Sequence, residues 1–240
     1  MLEYKKLSNI LFLDIETVPQ NASFDMLNDD MKALWDKKTS SSRNDDETPA
    51  DVYSKAGLYA EFGKIACISV GFITTGSTGE YIIRTKSFAG DNEHALLTDF
   101  ATLLHRAYNS SESTLCGHNI KEFDVPFIAR RMLINGIHLP NILNIQGKKP
   151  WEINFIDTME IWRFGDYRNY TSLNLLTHIF GIPTPKDDID GSQVADVYYN
   201  QHDIKRITTY CEKDVVATAQ LFLRYRLEPL IKPENIIHID

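Results

Sequence analysis

The chain has 240 residues, 43% hydrophobic and 24% charged, a composition of soluble globular proteins that excludes a disordered or fibrous chain. A core of this size buries enough apolar surface to need neither disulfides nor a structural metal. With 25 Lys+Arg against 33 Asp+Glu the formal charge is -8, which taken alone speaks against a polyanionic partner.

Residues 10–16, Ile-Leu-Phe-Leu-Asp-Ile-Glu, read as a strand apolar on both faces, with two carboxylates at its carboxyl end. From Pro19 to Gly63 the pattern changes. An amphipathic helix near Asp29 to Lys38 carries Met31, Leu34 and Trp35, and the polar run from Thr39 to Thr48 has nothing apolar to bury, so a mobile loop within an insertion over 20–63 is expected. Strands resume at Lys64 to Ile73 and Tyr81 to Phe88 around the turn sequence Thr-Thr-Gly-Ser-Thr-Gly, as in a hairpin. Helical spacing follows over Asn92 to Tyr108, with Asp91 as its expected cap.

A short strand at Thr114 to Gly117 leads to a helix from Val125 to Asn135, which Gly136 ends. Ile153 to Ile156 reads as a strand, Ser172 to Phe180 as a helix, and Asp203 to Leu227 as a long helix closed off by Pro229 and Pro233. This order predicts an α/β fold, a mixed five-stranded sheet flanked by helices, as one domain over 1–240. Cys67, Cys116 and Cys211 match neither a zinc pattern nor a disulfide framework, which fits a reducing, cytoplasmic setting. The apolar stretch before Asp14 is too short for a signal peptide or a membrane span, so no membrane association is expected.

Three D-x-E triplets occur, at Asp14/Glu16, Asp45/Glu47 and Asp91/Glu93. The second lies in the polar loop and the third at a helix start, where acids favour the positive end of the helix dipole. Asp14 and Glu16 instead sit in an apolar strand, and residues at i and i+2 of a strand share a face. Two anions side by side in a half-buried place repel each other and lose hydration, so a cation should meet them. Mg²⁺ suits carboxylate oxygens.

Two further groups follow: Asn119-Ile-Lys-Glu-Phe123-Asp124 at a helix start, where Asp124 is also placed as a cap, and Tyr210-Cys-Glu-Lys-Asp214 within the long helix, whose i and i+4 side chains project together. In chain order these are D-x-E, N-x-x-x-F-D and Y-x-x-x-D. That order resembles the three motifs of the DEDDy 3′-5′ exonucleases of the ribonuclease H-like (DnaQ-like exonuclease) superfamily. Within it, the chain looks most similar to stand-alone proteins related to the proofreading domain of family B DNA polymerases, on Leu13–Thr17, Glu61–Ile65, Gly117–Asn119 with Phe123–Asp124, and Tyr210–Asp214. No polymerase domain is expected in the chain.

The resemblance implies that Asp14, Glu16, Asp124 and Asp214 hold two divalent cations, Mg²⁺ or Mn²⁺, and that Tyr210 orients the attacking water. It implies contacts from Thr17, Asn119 and Phe123 to the terminal nucleotide, with the 3′ end of single-stranded DNA as the expected substrate. An exoribonuclease of the same branch and a non-catalytic nucleic-acid or protein-binding module are the alternatives. Capping outweighs a site role for Asp157. Lys121, Arg130, Arg131, Lys148 and Lys149 are candidate phosphate contacts, and Trp35, Tyr53, Tyr59 and Phe62 are expected to pack under the loop rather than to stack on bases.

Overall fold

A computed structural model describes residues 5–239 except 167, 169 and 184–188. Strand β1 (Ile10–Pro19) is the organising element. Leu11, Leu13 and Ile15 enter one apolar cluster, whereas Ile10, Phe12 and Val18 enter clusters on the opposite side, so the strand is buried on both faces as its composition requires. β1 pairs antiparallel with β2 (Gly63–Thr75), which forms the expected hairpin with β3 (Tyr81–Ala89). β4 (Thr114–Gly117) lies parallel to β1 on its other side.

The sheet has six strands, not five, in the order β5-β4-β1-β2-β3-β6. β5 (Ile156–Asp157) is shorter than the expected Ile153–Ile156, because only Ile156 and Asp157 reach β4, opposite Cys116 and Gly117. The added strand, β6 (Ile236–Ile239), pairs parallel with β3 along the edge beyond the helix-ending prolines.

Between β1 and β2, helix α1 (Asp29–Thr39) drops Trp35 into a cluster with Leu27, Val52, Tyr53 and Phe62, and the indole Nε1 donates to Pro49 O at 2.8 Å. The aromatic residues of this segment are therefore packing residues. Helices α2 (Glu93–Ala107) and α3 (Asp124–Ile134) cover the Leu11–Leu13–Ile15 face. Asn92, rather than Asp91, caps α2 by accepting from Ala95 N at 3.0 Å. Two short helices, α4 (Thr158–Arg163) and α5 (Leu173–Ile179), follow β5, and α6 (Val194–Asp196) runs into a π turn over Val197–Gln201. The long helix α7 (Ile204–Tyr225) crosses the Ile10–Phe12–Val18 face and presses Ile207, Cys211, Val215, Ala219 and Phe222 onto it.

Arg131, one of the candidate phosphate contacts, is buried in the structure. Its Nε donates to Glu93 Oε1 at 2.8 Å, its Nη1 to Ala60 O at 2.9 Å and its Nη2 to Gln20 Oε1 at 3.1 Å. Glu93 also accepts from Ile65 N at 2.8 Å and Asn135 Nδ2 at 3.0 Å, so one buried pair ties α2, α3 and β2 together. Glu93→Ala strands that guanidinium without its counter-charge and should cost about 3–5 kcal/mol. The expected readout is a lower urea midpoint, and an unchanged midpoint would refute the structural role.

Candidate active site

The period-2 alternation of β1 carries Asp14 and Glu16 to the α7 face, between Phe12 on one side and Val18 on the other. An apolar strand thus opens a polar gap where α7 crosses it. Directly after Glu16 the register slips: Glu16 lies opposite Cys67, but Thr17 lies opposite Ile65. At this bulge the Thr17 hydroxyl donates to Gly57 O at 2.7 Å, so its proton is committed to the inserted segment and only its lone pairs face outward as acceptors.

Asp124 arrives from the other side of β1. It is not the cap of α3 but its first helical residue, behind a Phe123 N-cap that makes no side-chain capping bond. The reason lies in the sheet. The pairing of β4 with β1 ends at Phe12, short of Ile15, and the Asp124 carboxylate accepts the Ile15 N–H together with its own. Asp124 is only 4% exposed. Helix α7 supplies the rest: Tyr210 and Asp214, one turn apart and half-buried, and Cys211, whose Sγ donates at 3.4 Å to both Asp14 O and Asp14 Oδ2.

The four acids therefore converge from β1, α3 and α7, and their electrostatics record it. Burial, followed by the charges of Asp214, Glu16 and Asp124, holds the Asp14 carboxyl well above the usual carboxylate range. Glu16 is raised by burial, then by Asp214, Cys67 and Asp124. Asp124 is pushed up to about 7, chiefly by burial, with Asp157 and Asp214 adding to it against the lowering effect of the two backbone N–H bonds. These directions describe a dry anionic space that favours added positive charge. Oxygen donors of this kind fit hard divalent ions, so the residues present suit Mg²⁺ or Mn²⁺.

The loop between β4 and α3 is shaped by two residues. At Gly117 a Cβ would stand 2.7 Å from Ile120 Cβ and 3.0 Å from Leu13 O, so no larger residue fits. Asn119 takes the left-handed conformation, φ 67°, which asparagine tolerates better than most residues. Asp157 holds it there, accepting from Asn119 N at 3.0 Å and Lys121 N at 3.2 Å while capping α4 through Met159 N and Glu160 N. Asp157 is thus both a cap and a support beneath the loop. Among the described residues the buried Asn119 Oδ1 has no hydrogen-bond partner, and Phe123, half-buried, packs against Phe127 with ring centroids 5.5 Å apart.

Among the basic candidates, Lys121 pairs with Glu160, and Lys149 lies over the Trp151 ring at 5.3 Å. Arg130 is exposed on α3. The sequence assigns Cys211 no part in the site, although its adjacency to Tyr210 is the available signal. His118 enters the sequence reading only within the Gly117–Asn119 stretch; in the structure its ring lies between Thr158 Oγ1 at 2.9 Å and Thr171 O at 2.8 Å, with burial lowering its pKa.

Residues 58–230 match the family model described as a predicted 3′-5′ exonuclease related to the exonuclease domain of PolB. The chain belongs to this family of PolB-related exonucleases. Among solved structures, it resembles the family B DNA polymerase of the archaeon Pyrobaculum calidifontis at 14% identity and a TM-score of 0.52, over 91% of this chain and 24% of that one. E. coli Exonuclease I bound to a dA13 oligonucleotide matches at 14% identity with a TM-score of 0.41, over 91% of this chain and 41% of that one. The chain thus spans about a quarter of the polymerase's length. Comparison with curated proteins finds no match. The fold of this PolB-related exonuclease is the ribonuclease H-like α/β fold expected from the motif order.

The raised carboxyls carry a sign. Without metal, folded Asp124 keeps its proton up to about pH 7, whereas the unfolded chain loses it near the ordinary 3.8. The stability this group contributes is full at acid pH and is lost as pH rises through about 7; Asp14 and Glu16 act in the same direction. A divalent ion competes with those protons. Mg²⁺ or Mn²⁺ should therefore raise the melting temperature more at about pH 8 than at about pH 5.5, as read by calorimetry with and without chelator. An equal gain at both pH values would place ion binding away from these acids.

Proposed function

We propose that this PolB-related exonuclease is a divalent-metal-dependent enzyme that removes 5′-mononucleotides from the 3′ end of single-stranded DNA. The observation that carries the proposal is the convergence of Asp14, Glu16, Asp124 and Asp214 from three elements, with Tyr210 one helical turn from Asp214. Those four carboxylates would hold the two ions. When bound, the ions supply a lowered pKa for the attacking water and charge stabilisation at the leaving 3′ oxygen. Tyr210 holds that water through its phenol oxygen, a role in positioning rather than proton abstraction, since phenols are poor general bases at neutral pH.

Asn119 and Thr17 are read as acceptors for the terminal nucleotide, Asn119 after its side chain turns outward, since its Oδ1 is buried in the free protein, and Thr17 through the lone pairs of a hydroxyl whose proton goes to Gly57 O. Phe123 presents its ring to the terminal residue while keeping its contact with Phe127. We read the chain as one exonuclease domain in which residues 20–63 are an insertion with its own apolar cluster. The three buried free cysteines suit a reducing compartment such as the cytoplasm. Among the described residues no helix is long and apolar enough to cross a membrane.

The net charge of -8 sets the mode of binding. Of the basic residues offered for phosphate contact, Arg131 is buried against Glu93 and Lys121 is paired with Glu160, which shortens the basic track available to a strand. The enzyme therefore grips a few terminal nucleotides and works with low processivity and a shallow salt dependence.

Digestion of matched 5′-labelled DNA and RNA oligonucleotides, with Mg²⁺ and then with chelator, tests the reaction and the sugar preference together. A metal-dependent ladder that shortens DNA from its 3′ end is expected. Faster digestion of RNA would make the protein an exoribonuclease, and no digestion of either would point to a binding module. Asp14→Asn and Asp214→Asn should each lower turnover by on the order of 10²-fold or more. Separately, Tyr210→Phe should lower kcat by up to about 10²-fold, the scale of a misplaced reactant, while calorimetry reports nearly unchanged metal affinity. A parallel loss of metal affinity would assign Tyr210 to ion binding instead.

A further inference from the structure

Cys211 has no task in the reaction proposed above, yet it stands among the acids. Among the described residues, Asp14, Glu16 and Cys211 form a group whose ligand atoms all lie within 4.8 Å of one another. The thiol is fully buried, and its Sγ is 3.4 Å from Asp14 Oδ2. A sulfur and an oxygen bound to one tetrahedral zinc, at about 2.3 and 2.1 Å, stand about 3.6 Å apart. The observed separation is already close to that value, so side-chain rotation of Glu16 is the main adjustment needed. A second thiol adjoins the first: Cys67, fully buried, stands opposite Glu16 in the β1–β2 register, and its side chain hydrogen-bonds that of Cys211. Burial and that contact favour the protonated Cys211 thiol, so a bound ion has to displace its proton.

We propose that Cys211 converts the Asp14–Glu16 pair into a mixed thiolate–carboxylate site for a thiophilic divalent ion, Zn²⁺ or Cd²⁺, in competition with the hard ions of turnover. The proposal rests on the reading of Asp14 and Glu16 as ion-holding residues and adds a sulfur ligand to them. Binding replaces the thiol proton now directed at Asp14 by a metal–sulfur bond, and the proton passes to solvent. Soft sulfur favours zinc, cadmium and cobalt over magnesium, and the order of affinities among first-row ions works in the same direction. An ion held by Cys211 would engage Asp14 and Glu16 and so withdraw both from the set of four carboxylates. The same residues would then serve as a sensor of thiophilic metal that shuts the exonuclease.

The test uses Co²⁺ as a spectroscopic probe on the full-length protein, with calorimetry to count bound ions. Wild type should show a near-ultraviolet sulfur-to-cobalt charge-transfer band that Zn²⁺ abolishes by displacement and that is missing from both Cys211→Ser and Cys211→Ala. Loss of a supporting contact alone costs about 10–100-fold in metal affinity, so losing a direct ligand should weaken Zn²⁺ binding by more than about tenfold. Co²⁺ binding without a sulfur band in wild type would overturn the proposal while leaving the carboxylate reading intact. A band that survives in Cys211→Ser would also overturn it, by assigning the ligand to Cys67. Failure of any divalent ion to bind would sink this proposal and the metal-dependent mechanism together.

Discussion

Four acidic side chains share a space that the fold partly closes to water, and much of the rest of the structure follows from holding them there. Left to themselves the four repel each other, and Asp14, Glu16 and Asp124 favour their protonated forms. They are kept together because each belongs to an element fixed by apolar contacts elsewhere. β1 is clamped between clusters on both faces, α3 is packed by Val125, Phe127, Ile128 and Met132, and α7 by Val215, Ala219 and Phe222. The apolar core thus offsets an electrostatic cost concentrated at one point, a common arrangement at functional sites.

A layer of polar contacts behind the acids gives the site its shape. Asp157 accepts four backbone N–H groups from two segments, which fixes the left-handed Asn119 and the entry into α3. The Glu93–Arg131 pair performs a similar joining task between α2, α3 and β2 at the far end of α3. Neither group needs to meet substrate. Each removes a freedom that would let Asp124 or Asn119 drift from its partners.

The acids and Tyr210 were legible in the sequence because local periodicity decides which side chains project together: two apart on β1, four apart on α7. The helix at Asp124 is legible, but the residue's environment is not, since its partner is the Ile15 N–H of a distant strand, beyond the end of the β4 pairing. Arg131 looked like a surface cation because nothing local reveals Glu93, which precedes it by more than thirty positions. No local pattern marks β6, because a four-residue strand gains its identity from the β3 edge it joins. The bounds of β5 are likewise set by β4 and not by its own sequence. Periodicity reports what one element does; pairing and burial depend on distant residues.

The bulge between Glu16 and Thr17 acts as a mechanical fuse. Side chains on a strand change face when pairing slips by one residue, so a change in the length or packing of the inserted segment could, through an uninterrupted strand, have turned Asp14 and Glu16 away from α7. The extra residue, Ala66 of β2, absorbs such slippage on the partner strand, opposite the step from Glu16 to Thr17. Upstream, the pairing from Phe12 to Glu16 stays tied to β2. The segment attached through Thr17 and Gly57 is thereby free to diverge in sequence and size, while the carboxylates keep their face.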